Sequence, residues 1–372
     1  MNFFRPSKAA LAALLVYATM AASSAAQPAE TFLPACYKPA PGDNRLIQYP
    51  ARSGPYRMAL VNGYTGIPWR AQMIEETRAW AARPENAAQI KELKIVSTGA
   101  DVAAQIAAID NFIQAGYDAI AFDAVNPKAF DAVARRAKQA GVVLISFDNA
   151  VDTSAIVRIT PDWVEFEAIK AQAVVDMMPA KQGRLLEVRG PAGNSTDRDR
   201  HAGLTKVLSR YKDIKVTEVT GNWDTGTVQK VVSDAIAVNG NFDAIVCQHG
   251  CAGVTSALKA ARSPAIPVGG DAANGFVKGL IEQKLPGISV STSPGQGPVA
   301  MQAAIALLQG KALPSLVNLP TPYALTKDMK PNVNYFPDLP DTLETVSGYA
   351  NCGVQFSAAE MKRYLTNTNQ GS

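Results

Sequence analysis

Histidine is almost missing from this chain: His201 and His249 are the only two in 372 residues. A hydrolytic triad would have to be built on one of these two, in neighbouring predicted loops, and no G-x-S-x-G elbow accompanies them. A phosphate loop of the form G-x-x-x-x-G-K followed by Ser or Thr is also absent, as is an H-E-x-x-H pair. Gly190-Pro191-Ala192-Gly193-Asn194 follows a strand as a phosphate loop would, but it carries a proline and lacks the lysine. These absences remove the common enzyme classes, and no cofactor or metal is expected. Surplus charge is also small. The net charge is +4, of which Arg5 and Lys8 supply two, so the rest of the chain is close to neutral and has no electrostatic footprint for nucleic acid or a membrane surface.

Long apolar runs are confined to the first residues. Arg5 and Lys8 precede an uncharged stretch from Ala9 to Ala22, then Ser24-Ala25-Ala26 and a polar Gln27-Pro28-Ala29-Glu30. That order is a positive end, a short apolar region and a small-residue cleavage site, so residues 1–26 are expected to be a cleaved secretory signal and not a membrane anchor. Leu33-Pro34-Ala35-Cys36 resembles a lipoprotein cleavage site superficially, although Glu30 and two prolines separate it from the apolar region. Export places the four cysteines in an oxidising compartment. Cys36 and Cys352 lie in the two terminal extensions, while Cys247 and Cys251 sit at a strand end and the next turn. The expected pairs are therefore Cys36–Cys352 and Cys247–Cys251, of three connectivities open to four cysteines. Cys247, His249 and Cys251 also read as three metal ligands that lack a nominated fourth.

What the chain does have is a rhythm. Short apolar runs alternate with amphipathic helical stretches from Tyr56 to about Leu308: MALVN (58–62), LKIVS (93–97), AIAFDA (119–124), VVLISFDN (142–149), RLLEVRG (184–190), IKVTEVTGNW (214–223), AIVCQHG (244–250), IPVGGD (266–271) and ISVST (288–292). Such alternation builds parallel sheets covered by helices, and ligands of open sheets bind beyond the carboxyl ends of the strands. Asp101 and Asp162 mark helix starts, and Gly116 and Pro179 mark helix stops. Two consecutive halves of similar layout predict two similar α/β domains. Residues 27–55 read as an irregular extension, and six prolines between Pro314 and Pro340 read as a tail wandering over the surface, ending in a short helix capped by Ser357 with Glu360 three residues on.

Taken in order, ALVN…IPW (59–69), GYDAIAFDAVNPKAF (116–130), AGVVLISFDN (140–149), EVRGPAGNSTDRDRHAG (187–203), NWD (222–224), FDAIVCQHG (242–250) and IPVGGDAANG (266–275) resemble the periplasmic sugar-binding proteins of the ribose-binding type. These are secreted receptors of ABC importers, related in fold to the ligand-binding cores of LacI-type repressors. The resemblance implies two Rossmann-like, doubly wound parallel-sheet lobes joined by three hinge crossovers near 160–162, 292–293 and 320–321, with a ligand cleft between them. It gives an N-terminal lobe of 56–161 plus 293–320 and a C-terminal lobe with its tail of 162–292 plus 321–372. It also carries the site: Trp69 as a stacking aromatic, Asp148 and Asp271 as hydroxyl-gripping carboxylates, Arg200, and Trp223 as an aromatic wall. His249 falls where ribose binders have an asparagine, and Thr292 or Ser291 where they have a glutamine. The chain departs from the family pattern in having Asn149 for an arginine, Arg70 for an aromatic and Ile67 for an asparagine whose role Asn62 and Tyr64 take over; these departures argue against ribose itself.

The same residues make chemical sense for a sugar, which offers apolar ring faces and pairs of hydroxyls. Tyr64, Trp69 and Trp223 suit the faces; Asp148, Asn149, Arg200 and Asp271 suit the hydroxyls. Because buried charge needs a partner, Arg200 is expected to balance Asp148 or Asp271. Trp163 reads as packing, His201 as helix surface, and Asp123 and Asn126 as turn formers. The expected activity is capture of a small sugar or polyol by a monomeric periplasmic receptor serving an ABC permease. The alternative is presentation of the closed form to a membrane sensor kinase or chemoreceptor.

Overall fold

A computed structural model describes residues 1–2 and 31–368. The segment read as a secretory signal lies outside the described residues apart from its first two positions. The chain opens with a short strand, β1 (Leu46–Ile47), and then enters the alternation. The first run comprises β2 (Tyr56–Asn62), α1 (Pro68–Ala81), α2 (Pro84–Ala87), β3 (Ile90–Ser97), α3 (Val102–Gln114), β4 (Ala119–Phe122), α4 (Asp131–Gln139), β5 (Val143–Phe147) and β6 (Val157–Pro161). The second comprises α5 (Trp163–Met177), β7 (Gly183–Arg189), α6 (Ser195–Leu208), β8 (Ile214–Thr220), α7 (Thr225–Asn239), β9 (Ala244–Cys247), α8 (Ala252–Ala261), β10 (Val268–Gly270), α9 (Asn274–Glu282) and β11 (Gly287–Val290). The chain then returns through α10 (Gln296–Leu308), β12 (Leu313–Pro314) and β13 (Leu316–Leu319) before β14 (Tyr323–Leu325). Helix starts follow the capping chemistry: Asp101 accepts from the Ala104 amide at 3.0 Å and Asp162 from the Glu165 amide at 3.0 Å.

Two six-stranded sheets result, in the orders β13-β6-β5-β4-β2-β3 and β14-β11-β10-β9-β7-β8. The first is parallel throughout; in the second only β14 runs antiparallel, against β11. The fold class is thus the one expected, two doubly wound lobes, with the chain passing between sheets after β6, after β11 and after β13. In each sheet the strand order reverses once, between β3 and β4 around β2 and between β8 and β9 around β7. The connections there leave in opposite directions and open a crevice at the carboxyl edge. Strands β4, β5, β9 and β11 are buried along their whole length, which is why they read as continuous apolar runs and not as alternating ones.

The terminal segments pack onto the lobes. The N-terminal extension is packed onto the first lobe: Tyr37 is fully buried, its hydroxyl donating to Val299 O at 3.0 Å, and β1 pairs antiparallel with β12. The tail does not belong wholly to the second lobe. After β14 it lies on α9, where Asn274 Nδ2 donates to Phe336 O at 2.8 Å and to Leu339 O at 3.0 Å. From Phe336 onward its apolar side chains join the first lobe's core, with β15 (Gly348–Tyr349), β16 (Val354–Gln355) and α11 (Ala358–Thr368) lying near α1 and α10. The reason is apolar: Leu343, Tyr349, Cys352, Val354 and Met361 are buried against Met73, Trp80 and Val299, and no local pattern in the sequence says which lobe such residues will find. Both disulfides form as expected, Cys36–Cys352 with Cα atoms 4.8 Å apart and Cys247–Cys251 with Cα atoms 5.8 Å apart. The second bridge takes both sulfurs and removes the metal-ligand reading of that turn.

Candidate functional site

The carboxyl ends of the two sheets face each other across a cavity of about 500 Å³ of empty space, its mouth included. Each wall begins as a strand that runs out of ladder. In the first lobe β5 ends at Asp148, which adopts a left-handed φ of 57°. In the second, Asn222 and Trp223 after β8 adopt φ of 52° and 60°. Non-glycine residues held there carry local strain that surrounding contacts must maintain, and such positions gather at binding sites.

Asp148 is buried and held on every side. One carboxylate oxygen meets Arg70 Nη2 at 2.5 Å, the other accepts from Gln296 Nε2 at 3.3 Å, and its carbonyl accepts from the indole of Trp163 at 3.2 Å. Arg70 comes from the first turn of α1, which Pro68 starts. It lies over Trp69 and Tyr64 and has Asp123 3.5 Å from its second terminal nitrogen. Burial works against the Arg70 charge, but the fields of Asp123 and Asp148 outweigh it and hold the guanidinium above its ordinary value. Burial pushes the Asp123 carboxyl up to about 7, against the pull of Arg70.

On the opposite wall, Arg200 of α6 reaches back to Glu167 of α5 at 2.7 Å and donates to Gln248 O at 2.6 Å, with its plane near Phe166 and Trp163. Glu167 is shared with Lys170, whose ammonium also donates to Cys247 O at 2.9 Å. Burial pushes the Lys170 ammonium down to about 8. The expectation that Arg200 balances Asp148 or Asp271 is therefore corrected: each wall finds its ion-pair partners within itself, Arg70 lying nearer to Asp148, Glu167 to Arg200 and His249 to Asp271. His249 Nδ1 lies 2.9 Å from Asp271, whose carboxylate also accepts from the Gly250 amide at 2.7 Å and the Cys251 amide at 3.3 Å. Burial opposes both charges. Their mutual attraction wins, holding the His249 pKa above and the Asp271 pKa below the ordinary values.

Trp223 donates to Gln248 Oε1 at 3.1 Å and lies flat against Gly190, where a Cβ would fall 2.2 Å from the indole nitrogen. That contact explains the glycine of the Gly190–Gly193 turn. The lobes also touch directly at the mouth of the cavity. Asn194 Nδ2 donates to the Tyr64 hydroxyl at 2.7 Å, Thr196 Oγ1 donates to Asn149 Oδ1 at 2.9 Å, and Tyr64 meets Trp223 edge to face.

Of the residues nominated from sequence, Trp69, Asp148, Asn149, Arg200, Trp223, His249, Asp271 and Thr292 line the cavity. Trp69 does so while donating its indole N–H to Thr292 O at 3.1 Å, across the second passage between lobes. Tyr64 stands outside that ring and fastens the mouth. Sequence reasoning missed Arg70, Trp163, Phe166, Thr196, Gln248 and Glu344, all cavity-lining. Trp163 packs in the second lobe's core as expected and also lines the cavity, and Asp123 does more than shape a turn. Arg70 had a signal, a charge beside Trp69 where an aromatic was expected. Glu344 had none, since it sits in the proline-rich tail. Among the described residues the buried Asn149 Nδ2 has no hydrogen-bond acceptor, and Arg70 Nη1 has only the Asp123 carboxylate 3.5 Å away. Buried donors of this kind are costly unless something accepts from them.

Comparison with known proteins adds a second line of observation. The family profile described as periplasmic binding protein domain matches residues 58–312. The xylitol-binding protein of Mycolicibacterium smegmatis is 29% identical over 248 residues, which cover 65% of this chain and 70% of that protein. Among solved structures, an ABC transporter solute binding protein from Thermobispora bispora superposes with a TM-score of 0.72 at 24% identity, covering 85% of this chain and 97% of its own. Another, from Mycobacterium smegmatis with bound glycerol, superposes with a TM-score of 0.67 at 19% identity, covering 74% and 96%.

Proposed function

From the premise that the chain belongs to the periplasmic binding protein domain family, whose members are substrate-binding proteins and not enzymes, we propose that it captures a small sugar or polyol between its lobes and delivers it to the permease of an ABC importer. It acts as an exported monomer in the periplasm, the first residues serving as its secretory signal. The observation that carries this reading is the make-up of the cavity. Internally paired carboxylates, guanidinium groups and an imidazole face aromatic rings, and the buried Asn149 side-chain amide awaits an acceptor. Because each buried charge already has an opposite charge beside it, the site suits a ligand that is polar, neutral and rich in hydroxyls. Asp148, Asn149, Arg200, His249 and Asp271 are its hydrogen-bonding set, and Trp69 and Trp223 its apolar faces. Thr292 adds a hydroxyl at the passage between lobes, and Tyr64 secures the closed mouth.

The test is a thermal-shift screen of the mature protein against pentoses, hexoses, pentitols and inositols, followed by calorimetry on the hits. A ligand at about 100 times its Kd stabilises the native state by about 2.7 kcal/mol, which is easily seen as a rise in melting temperature. A panel that leaves the melting temperature unmoved while amino acids or organic anions raise it overturns the reading.

A further inference from the structure

Glu344 lies in a part of the chain that the family profile does not reach, since the match ends at residue 312. The tail carries it into the site as a strap between the two lobes. On one side its backbone is clamped by Gln72 of α1, with the Glu344 amide donating to Gln72 Oε1 at 2.9 Å and Gln72 Nε2 donating to Glu344 O at 3.2 Å. On the other side it bridges to Ala273, and the next amide, that of Thr345, donates to Ala272 O at 3.0 Å. Both neighbouring stretches are anchored. Lys278 holds Asp341 at 3.0 Å on the second lobe, and Cys352 is bonded to Cys36 on the first. From a backbone fixed in this way the Glu344 side chain projects inward. It lines the cavity, 2% exposed, with one carboxyl oxygen 3.8 Å from His249 Nε2. That gap is too long for a direct hydrogen bond. Among the described residues no group donates a hydrogen bond to the Glu344 carboxyl.

We propose that Glu344 is a ligand-binding residue supplied by the C-terminal strap, and that its carboxyl and His249 Nε2 together grip one hydroxyl, or an adjacent pair of hydroxyls, of the bound sugar or polyol. The inference rests on the function proposed above. It adds a contact from outside the two doubly wound lobes, and it gives the strap a part in selectivity: a ligand lacking a hydroxyl at that corner leaves a buried carboxyl and an imidazole N–H without partners, which binding sites discriminate against strongly.

The experiment compares wild type, Glu344→Gln and Asp341→Asn by calorimetry, with xylitol, D-ribose and myo-inositol as probes and then the single-deoxy analogues of whichever probe binds. Asp341 is on the same strap but its side chain faces Lys278 and solvent, so it reports on strap packing alone. The expected result is that Glu344→Gln weakens the parent probe by about tenfold or more, that Asp341→Asn leaves affinity unchanged, and that one deoxy analogue binds wild type and Glu344→Gln alike. Equal affinity of wild type and Glu344→Gln for every probe that binds overturns the inference while leaving the proposed function standing. Equal losses in both variants also overturn it, by assigning the effect to strap packing. A wild type that binds neither these probes nor any member of the wider panel of pentoses, hexoses, pentitols and inositols overturns the proposed function and this inference with it.

Discussion

Asp148 illustrates how a single buried carboxylate is held in place and aimed. Arg70 neutralises it at 2.5 Å, Gln296 holds its second oxygen, and its left-handed backbone points it off the end of β5. Asp148→Ala leaves Arg70 with only Asp123, 3.5 Å away, and leaves a ligand hydroxyl unpaired. The expected loss is about 1.4–3 kcal/mol, tenfold or more in Kd, with the fold retained, as calorimetry and circular dichroism will check. Arg200→Ala is expected to weaken binding similarly and to fold, because Lys170 stays 3.1 Å from the Glu167 carboxylate that Arg200 abandons. Unchanged affinity in both variants removes these residues from the site. Glu76 gives a different prediction. It is fully buried behind the strap, one oxygen takes a hydrogen bond from Gln72 at 2.9 Å, and the other has no partner. Burial raises its pKa from 4.5 to about 8, with Glu344 adding to the rise. A carboxyl whose folded pKa is raised contributes stability that is fully present below its unfolded pKa. That stability is lost as the pH climbs from 4.5 through about 8. Glu76→Gln stays neutral, so its melting temperature relative to wild type should rise steadily between pH 5 and pH 8. A constant difference across that range would contradict the assignment.

At the scale of elements, site residues gather where strands end. Asp148 follows β5, Trp223 follows β8, His249 follows β9 and Asp271 follows β10. This part was legible, since each residue terminates an apolar run that can be read by eye. The tail was not. Its elements are short, and their burial depends on surfaces made by helices hundreds of residues away. Its attachment is nonetheless covalent. Cys36–Cys352 closes a separation of 316 residues, whereas Cys247–Cys251 closes four. A long closed loop removes more freedom from the unfolded chain. The double substitution Cys36→Ser with Cys352→Ser is therefore expected to cost about 2–4 kcal/mol of unfolding free energy. Cys247→Ser with Cys251→Ser should cost less, as denaturant titrations will show. A larger effect from the short bridge would mean that the strap is held by its apolar contacts alone.

For the whole molecule, each of the two walls carries its own set of ion pairs, and the lobes meet through Asn194–Tyr64 and Thr196–Asn149. A ligand that touches both walls favours the closed arrangement only by its extra affinity for it. Small-angle scattering should show the radius of gyration falling on saturation with the ligand. Tyr64→Phe, which removes the acceptor of the Asn194 bond, should weaken affinity severalfold without altering the cavity. An unchanged radius, in protein whose free form is shown to be open, would rule out closure.

The sequence by itself determined the alternation of strands and helices, the two-lobed class, the strand-end residues and the cysteine pairs. All of these follow from local periodicity, capping chemistry and the order of short motifs along the chain. Tertiary structure alone decided which charge pairs with which, that Arg70 and not Arg200 answers Asp148, that Gln248 ties Trp223 to the Gly190 turn, and that Glu344 enters the cavity on a strap. The physical reason is that ion pairing and burial depend on distances of a few ångströms between residues far apart in sequence, such as the 272 positions between Gln72 and Glu344. Periodicity holds no record of those distances.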